Sequence, residues 1–145
     1  MISIIPFKIL SINGEGFHLT MKLFINGKHA NIIIDTGASK TVFDKSRITK
    51  FIPNKNFDEN EKLSTGLGTS TMKSHMTKIK KMKIGEIEIL NYETVLLDLS
   101  HVNKSYEQVG LKPIEGVLGS DILVEYKAII DYEKKTLKLK YKKSK

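Results

Sequence analysis

Residues 31–43 read NIIIDTGASKTVF. Three isoleucines run into Asp35, Thr36 and Gly37 form a sharp polar turn, and the chain becomes apolar again. A carboxylate at the end of a buried strand is costly to desolvate, so it points to use. The acid–base chemistry this tripeptide suggests needs two such carboxylates, one ionised to accept a proton and one protonated to donate it. This chain has a single Asp-Thr-Gly. Asp98 in VLLDLS and Asp131 in AIIDYE also follow apolar runs, but neither is followed by Thr/Ser-Gly. An intrachain pair is therefore disfavoured, and the second carboxylate has to be sought elsewhere.

Other chemistries find little support. There is no cysteine, which removes disulfides, thiolate catalysis and zinc–thiolate sites. His18, His29, His75 and His101 are scattered without an i,i+4 pair or an HExxH, so no metal and no cofactor is expected. The stretch TGLGTST lacks the Gly-Lys-Thr/Ser and preceding apolar strand of a phosphate loop, and no Gly-x-Ser-x-Gly exists. Asn103-Lys104-Ser105 is a formal glycosylation sequon, meaningful only in a secreted eukaryotic protein.

The elements that must position Asp35 are mostly strands. ISIIPFKIL (2–10) is β-rich, NGEG (13–16) is a turn, and FHLTMKLFI (17–25) alternates. Asn26-Gly27 then predicts a tight hairpin into HANIII (29–34). SKTVFDKSRI (39–48) has room for a short helical turn, and PNKNFDENEK (53–62) reads as a surface loop. Residues 62–84 read as two strands around a glycine-bearing tip, Gly66-Leu67-Gly68. EIEIL (86–90) and ETVLLDL (93–99) read as further strands, SHVNKSYEQVG (100–110) as a short helix. EGVLGSDILVEY (115–126) runs from a strand through Gly119 into a helix, with Asp121 placed to cap it. A last hairpin spans 127–143 with its turn at 131–135. Many short strands with closely spaced turns predict a closed or partly closed β structure.

The length of 145 residues fits one domain, 1–145, and 40% hydrophobic residues suffice for a core. No window approaches the roughly 18 apolar residues of a membrane span. MISIIPFKIL lacks a charged leader and a small-residue cleavage site, so it reads as a first strand and a cytoplasmic location is expected. The net charge of +8 is uneven: residues 127–145 hold eight lysines against Asp131 and Glu133, and the remainder is near neutral. A solvated hairpin and tail explain this better than a nucleic-acid surface, because no aromatic-rich RNA-binding signature accompanies the lysines.

IIIDTGAS (32–39), GVLGSDIL (116–123) and the glycine-bearing hairpin at 64–71 resemble the retropepsin-like aspartic proteases, single-domain relatives of pepsin and of retroviral proteases. The resemblance spans most of residues 15–131, and AIIDYEKKTLKL (128–139) is similar to the ending of cellular bacterial-type members. It implies a mainly β, half-barrel acid-protease fold with one or two short helices, a flap hairpin and a C-terminal hairpin. It also answers where the second carboxylate is: such proteins are homodimers, and the partner would be Asp35 of another copy.

By the same resemblance, Asp35, Thr36 and Gly37 carry catalysis, with Thr36 hydrogen-bonding across the dimer and Gly37 allowing the tight turn. Ala38, Ser39, Gly66, Leu67, Gly68, Val117 and Leu118 are implied at the peptide substrate, with 64–71 as the flap and Val117 and Leu118 behind the catalytic loop. Retroviral members often carry an Asp–Arg ion pair where this chain has Ser39 and Ser120. Both partners are exchanged together, so no lone charge is left behind.

Two rivals stand beside an aspartic endopeptidase. Asp-Thr-Gly is also good turn chemistry, which would make Asp35 a local backbone cap. A peptide-binding or assembly module on the same fold could hold an extended peptide by strand addition without cleaving it.

Overall fold

The computed structural model describes residues 1–52, 58–60 and 74–142, with 58–60 and Ser74 described by backbone alone. Its strands are β1 (Ile2–Pro6), β2 (Lys8–Ser11), β3 (Phe17–Ile25), β4 (Lys28–Ile34), β5 (Val42–Asp44), β6 (Asp58–Asn60), β7 (Ser74–Ile84), β8 (Ile87–Leu97), β9 (Gly116–Leu118), β10 (Ile129–Asp131) and β11 (Thr136–Lys140). Two short α-helices, α1 (Ser100–Gln108) and α2 (Ser120–Glu125), and a 3-10 turn at Ile48–Lys50 complete the described elements. The fold is mainly β, as the alternating sequence pattern predicts.

An eight-stranded sheet runs β2-β3-β4-β9-β5-β8-β7-β6, and a further antiparallel pairing of β3 with β7 bends it back on itself. β1, β11 and β10 form a separate three-stranded sheet. The alternation in β3 is the reason for the inside: Leu19, Met21, Leu23 and Ile25 are buried and join Ile32, Ile34, Phe43, Met82 and Leu118 in one core. Each such side chain contributes about 1.5–3 kcal/mol on burial. Asn26 (φ +49) and Gly27 (φ +84) both adopt the left-handed backbone of a two-residue hairpin, joining Ile25 to its cross-strand partner Lys28.

Four expectations change. The segment 53–62, read as a surface loop, contains strand β6, which pairs antiparallel with β7 from Asp58↔Met76 to Asn60↔Ser74. Residues 2–10 form two strands in different sheets, not one. Pro6 has no N–H to continue a ladder, and buried Phe7 is tied by its N–H to the Lys135 carbonyl (3.0 Å) as the chain crosses between sheets. The segments 86–90 and 93–99 are one strand, β8, because β7 pairs with it from Ile84↔Ile87 to His75↔Leu96 and Asn91 takes a left-handed conformation (φ +53) without breaking it. In 39–48 the structure has β5, since Val42 and Phe43 find partners on both sides in β9 and β8, and the helical turn comes later at Ile48–Lys50.

Candidate active site

Asp35 is delivered by an interior strand of the sheet. β4 lies between β3, antiparallel, and β9, parallel, with Ile32↔Gly116, Ile33↔Val117 and Ile34↔Leu118 in register. Ile32, Ile33 and Ile34 are buried, and the ladder ends where the Asp35 N–H donates to the Leu118 carbonyl at 3.0 Å. Beyond that bond the chain turns out to solvent. Asp35, Thr36 and Gly37 are all exposed on the single chain.

The carboxylate itself is oriented. Its Oδ1 accepts from the Gly37 N–H at 2.9 Å, and the Ala38 N–H donates to the Asp35 carbonyl at 3.2 Å. A Cβ on Gly37 would stand 3.3 Å from that Oδ1, so the glycine leaves the carboxylate its space. Turn capping and an exposed, aimed carboxylate thus coexist at this residue.

A second loop locks the first. A Cβ on Gly119 would fall 2.5 Å from the carbonyl carbon of Lys40 and 2.9 Å from the Ala38 carbonyl oxygen, so the segments 38–40 and 118–120 meet backbone to backbone. The Ser120 N–H donates to the Ala38 carbonyl at 2.7 Å, and its hydroxyl approaches the Ser39 carbonyl at 3.4 Å. The two serines that replace the retroviral ion pair therefore still touch, through a neutral contact.

Behind both loops lies a network that sequence reasoning missed. Thr41 is buried; its N–H and hydroxyl both donate to Asp121 Oδ1 (2.9 and 2.8 Å), and its Oγ1 accepts from the Gly119 N–H at 3.0 Å. Thr94 donates to the Thr41 carbonyl at 3.1 Å, and the Tyr92 hydroxyl donates to Asp121 Oδ2 at 2.6 Å. Burial, and then the adjoining Asp121 carboxylate, push the Tyr92 hydroxyl well above its ordinary value. Asp121 is accordingly not the cap of its own helix. Gly119 occupies the N-cap of α2, and the Asp121 side chain reaches back to Thr41 instead. The only signal in the sequence is indirect: Thr41 follows the Asp-Thr-Gly closely and Asp121 follows Gly119 closely.

The other candidates are distributed as follows. Leu118 is fully buried, so its side chain supports the Asp35 loop from behind and offers no surface to a peptide. Val117 is half-buried against a small second core of Ile33, Tyr106 and Ile114. Gly66, Leu67 and Gly68 lie outside the described residues. β6 and β7, on either side of them in the chain, pair antiparallel from Asp58↔Met76 to Asn60↔Ser74. Asp98 accepts from the Ser100 N–H and Asp131 from the Lys134 N–H, both at 2.9 Å, so each carboxylate serves its own turn. Among the described residues no group of three or more His, Asp or Glu side chains could hold a metal ion. Nor is any described helix long and apolar enough to cross a membrane. Asn103 of the sequon spends its amide on both backbone groups of Ile114 (3.1 and 2.8 Å).

A family model described as aspartyl protease matches residues 21–122, which takes in the Asp35 loop and the start of α2. The chain belongs to the aspartyl protease family. Among solved structures it is similar to a retropepsin-like aspartic protease from Rickettsia conorii (22% identity, 97% of this chain and 93% of that one, TM-score 0.56). It is also similar to the retroviral protease-like domain of Ddi1 from Leishmania major (14% identity, 84% and 87%, TM-score 0.57). A third neighbour is the EIAV protease in complex with the inhibitor HBY-793 (20% identity, 80% and 93%, TM-score 0.53). No curated protein matches significantly. At these identities the three structures speak for the fold, which is retropepsin-like.

Proposed function

We propose that this member of the family is an aspartic endopeptidase that acts as a homodimer, each copy contributing Asp35. The observation that carries the reading is the Asp35 carboxylate: solvent-facing, at the end of a buried strand, and oriented by the Gly37 amide. A twofold axis through the two exposed loops lets one residue meet its own twin. Two carboxylates about 3 Å apart cannot both ionise cheaply, so the pair retains one shared proton.

The chemistry follows from that proton. The ionised Asp35 takes a proton from a water held between the two. The water oxygen attacks the peptide carbonyl carbon, and the protonated Asp35 hydrogen-bonds the developing oxyanion. Collapse of the tetrahedral intermediate returns the proton to the leaving amine nitrogen, and no covalent enzyme intermediate forms. Thr36 is proposed to hold the two loops together across the axis. Ala38 and Ser39 would flank the substrate strand, with Gly66, Leu67 and Gly68 at the tip of a flap that closes over it and excludes water. Val117 and Leu118 support the site from behind.

Incubating the wild type and Asp35→Asn with a diverse peptide pool from about pH 3.5 to 7.5, a range that brackets a shared-proton pair, tests the reading by mass spectrometry. Cuts made only by the wild type are expected. Their absence at concentrations where the protein is demonstrably dimeric would leave the peptide-binding module as the reading of this fold.

A further inference from the structure

One face of the β2-β3-β4 sheet is only half covered. The cross-strand pairs Lys8↔Thr20, Thr20↔Ile33, Leu10↔His18 and Lys22↔Asn31 put these side chains on a common face. α1 covers one end: Tyr106 packs on Ile33 and Ile114, and its hydroxyl lies 2.7 Å from His18 Nδ1. The helix is nine residues long and ends at Gln108; the chain then turns at Gly110 (φ +76) and returns through Leu111 and Ile114. The other end of the face stays open as a pocket of about 480 Å³. That lies within the roughly 300–1,000 Å³ of small-molecule sites.

The lining is divided sharply by chemistry. Leu10, Leu111, Ile114 and the Tyr106 ring make apolar walls, closed by Ile5 and Pro6 where the chain crosses between sheets. Among the described residues, every charged one in the lining is a lysine: Lys8, Lys22 and Lys112. All three are exposed residues, so their ammonium groups keep their water while their stems border the apolar walls. Glu115, next along from Ile114, does not offset them, because its carboxylate is taken by Arg47 at 3.3 Å and by the Asn31 N–H.

We propose that this pocket binds an apolar chain ending in a single carboxylate, a medium-chain fatty acid in chemical class. The walls favour hydrocarbon, and the rim of like charges favours one anionic head. A phosphate or a nucleic acid would leave the walls unused, and a neutral hydrocarbon would leave the cationic rim unused. The site does not depend on the peptidase reading. It shares β4 with the candidate active site, Asn31 lining the pocket and Asp35 following the same strand.

Decanoate, decanol and decyltrimethylammonium, each below its aggregation concentration, are titrated into the full chain and followed by methyl NMR. Decanoate is expected to bind saturably, one to one, with shifts at Leu10, Leu111 and Ile114. Decanol and the ammonium compound should bind about tenfold more weakly or worse, the scale of a few exposed ion pairs. The Lys8→Gln, Lys22→Gln, Lys112→Gln triple variant should lose the preference for decanoate and keep its affinity for decanol. The proposal is overturned if decanoate does not saturate, if decanol binds wild type equally well, or if the shifts fall instead at the exposed apolar residues Leu90 and Val124. The ligand comparison on wild type decides the matter even if the triple variant folds poorly.

Discussion

Thr41 and Asp121 stand 80 residues apart in the chain and 2.8 Å apart in space, and the bond between them joins the two loops of the candidate site. The same Asp121 oxygen takes the Thr41 N–H, the other takes the Tyr92 hydroxyl, and Thr41 Oγ1 in turn takes the Gly119 N–H. Asp121→Ala removes the acceptor for three donors, two of them on buried Thr41. Leaving buried donors unpaired costs about 1–3 kcal/mol, and bonds to a charged group are the stronger kind. A loss of about 3 kcal/mol in urea unfolding is therefore expected. Asp121→Asn keeps one oxygen toward Thr41 and turns a donor to Tyr92, whose hydroxyl can accept, so about 1 kcal/mol is expected. Equal losses from the two variants would mean that the charge and second acceptor oxygen of the carboxylate, which Asn lacks, hold the loops, and that the shape and single acceptor it keeps contribute nothing.

Gly119 is the geometric counterpart of that bond. Its hydrogen faces the Lys40 and Ala38 backbone, which cannot swing away as a side-chain tip can. Gly119→Ala should cost about 1–3 kcal/mol by overpacking, and it should move the amide resonances of residues 35–41. Gly37→Ala is the milder neighbour, since its Cβ would meet only the Asp35 carboxylate at 3.3 Å. It should leave stability nearly intact while disturbing whatever Asp35 does. If Gly119→Ala proved neutral, the close approach of the two loops would be wrong.

How legible all this is depends on range in sequence. Asp35 can be found because its cause is local: an apolar run, a polar turn, a glycine. The Asn26-Gly27 hairpin is local for the same reason. The Thr41–Asp121–Tyr92 network has no such signature. Each residue alone resembles an ordinary turn, cap or surface position, and only the fold brings them together. The split of residues 2–10 at Phe7 was concealed likewise, because both halves are β-rich and only the partner strands, β11 and β3, tell them apart. β8 reads as two segments because its polar middle faces solvent, while the pairing to β7 that unifies it spans a hairpin.

Tyr106 gives a pH prediction. Burial pushes its hydroxyl from 10.0 up to about 12. A group that holds its proton more tightly when folded contributes stability that is present below the unfolded value and lost as pH rises through the folded one. The window is therefore from about pH 10 to about pH 12. Tyr106→Phe should be less stable near neutral pH, because it leaves His18 Nδ1 without its 2.7 Å partner. It should also show a shallower fall in stability above pH 10. Tyr92, Tyr126 and Tyr141 are raised too, so some fall remains. Urea midpoints of the two proteins on either side of pH 10 measure the difference, and parallel curves would contradict the assignment to Tyr106.

Thr36 tests the dimer that the peptidase reading requires. On the single chain it is exposed, next to the oriented Asp35 carboxylate. If its hydroxyl bonds across a twofold axis, the dimer contains that bond twice, and each is worth about 0.5–1.5 kcal/mol. Thr36→Ala should then weaken self-association by about tenfold or more and leave the unfolding of the monomer unchanged. Specific peptidase activity should fall as the protein is diluted, earlier for the variant than for the wild type. Thr36→Ser keeps the hydroxyl and should restore most of the association. Sedimentation across a dilution series checks all three proteins at once, and unaltered association in Thr36→Ala would remove Thr36 from the interface.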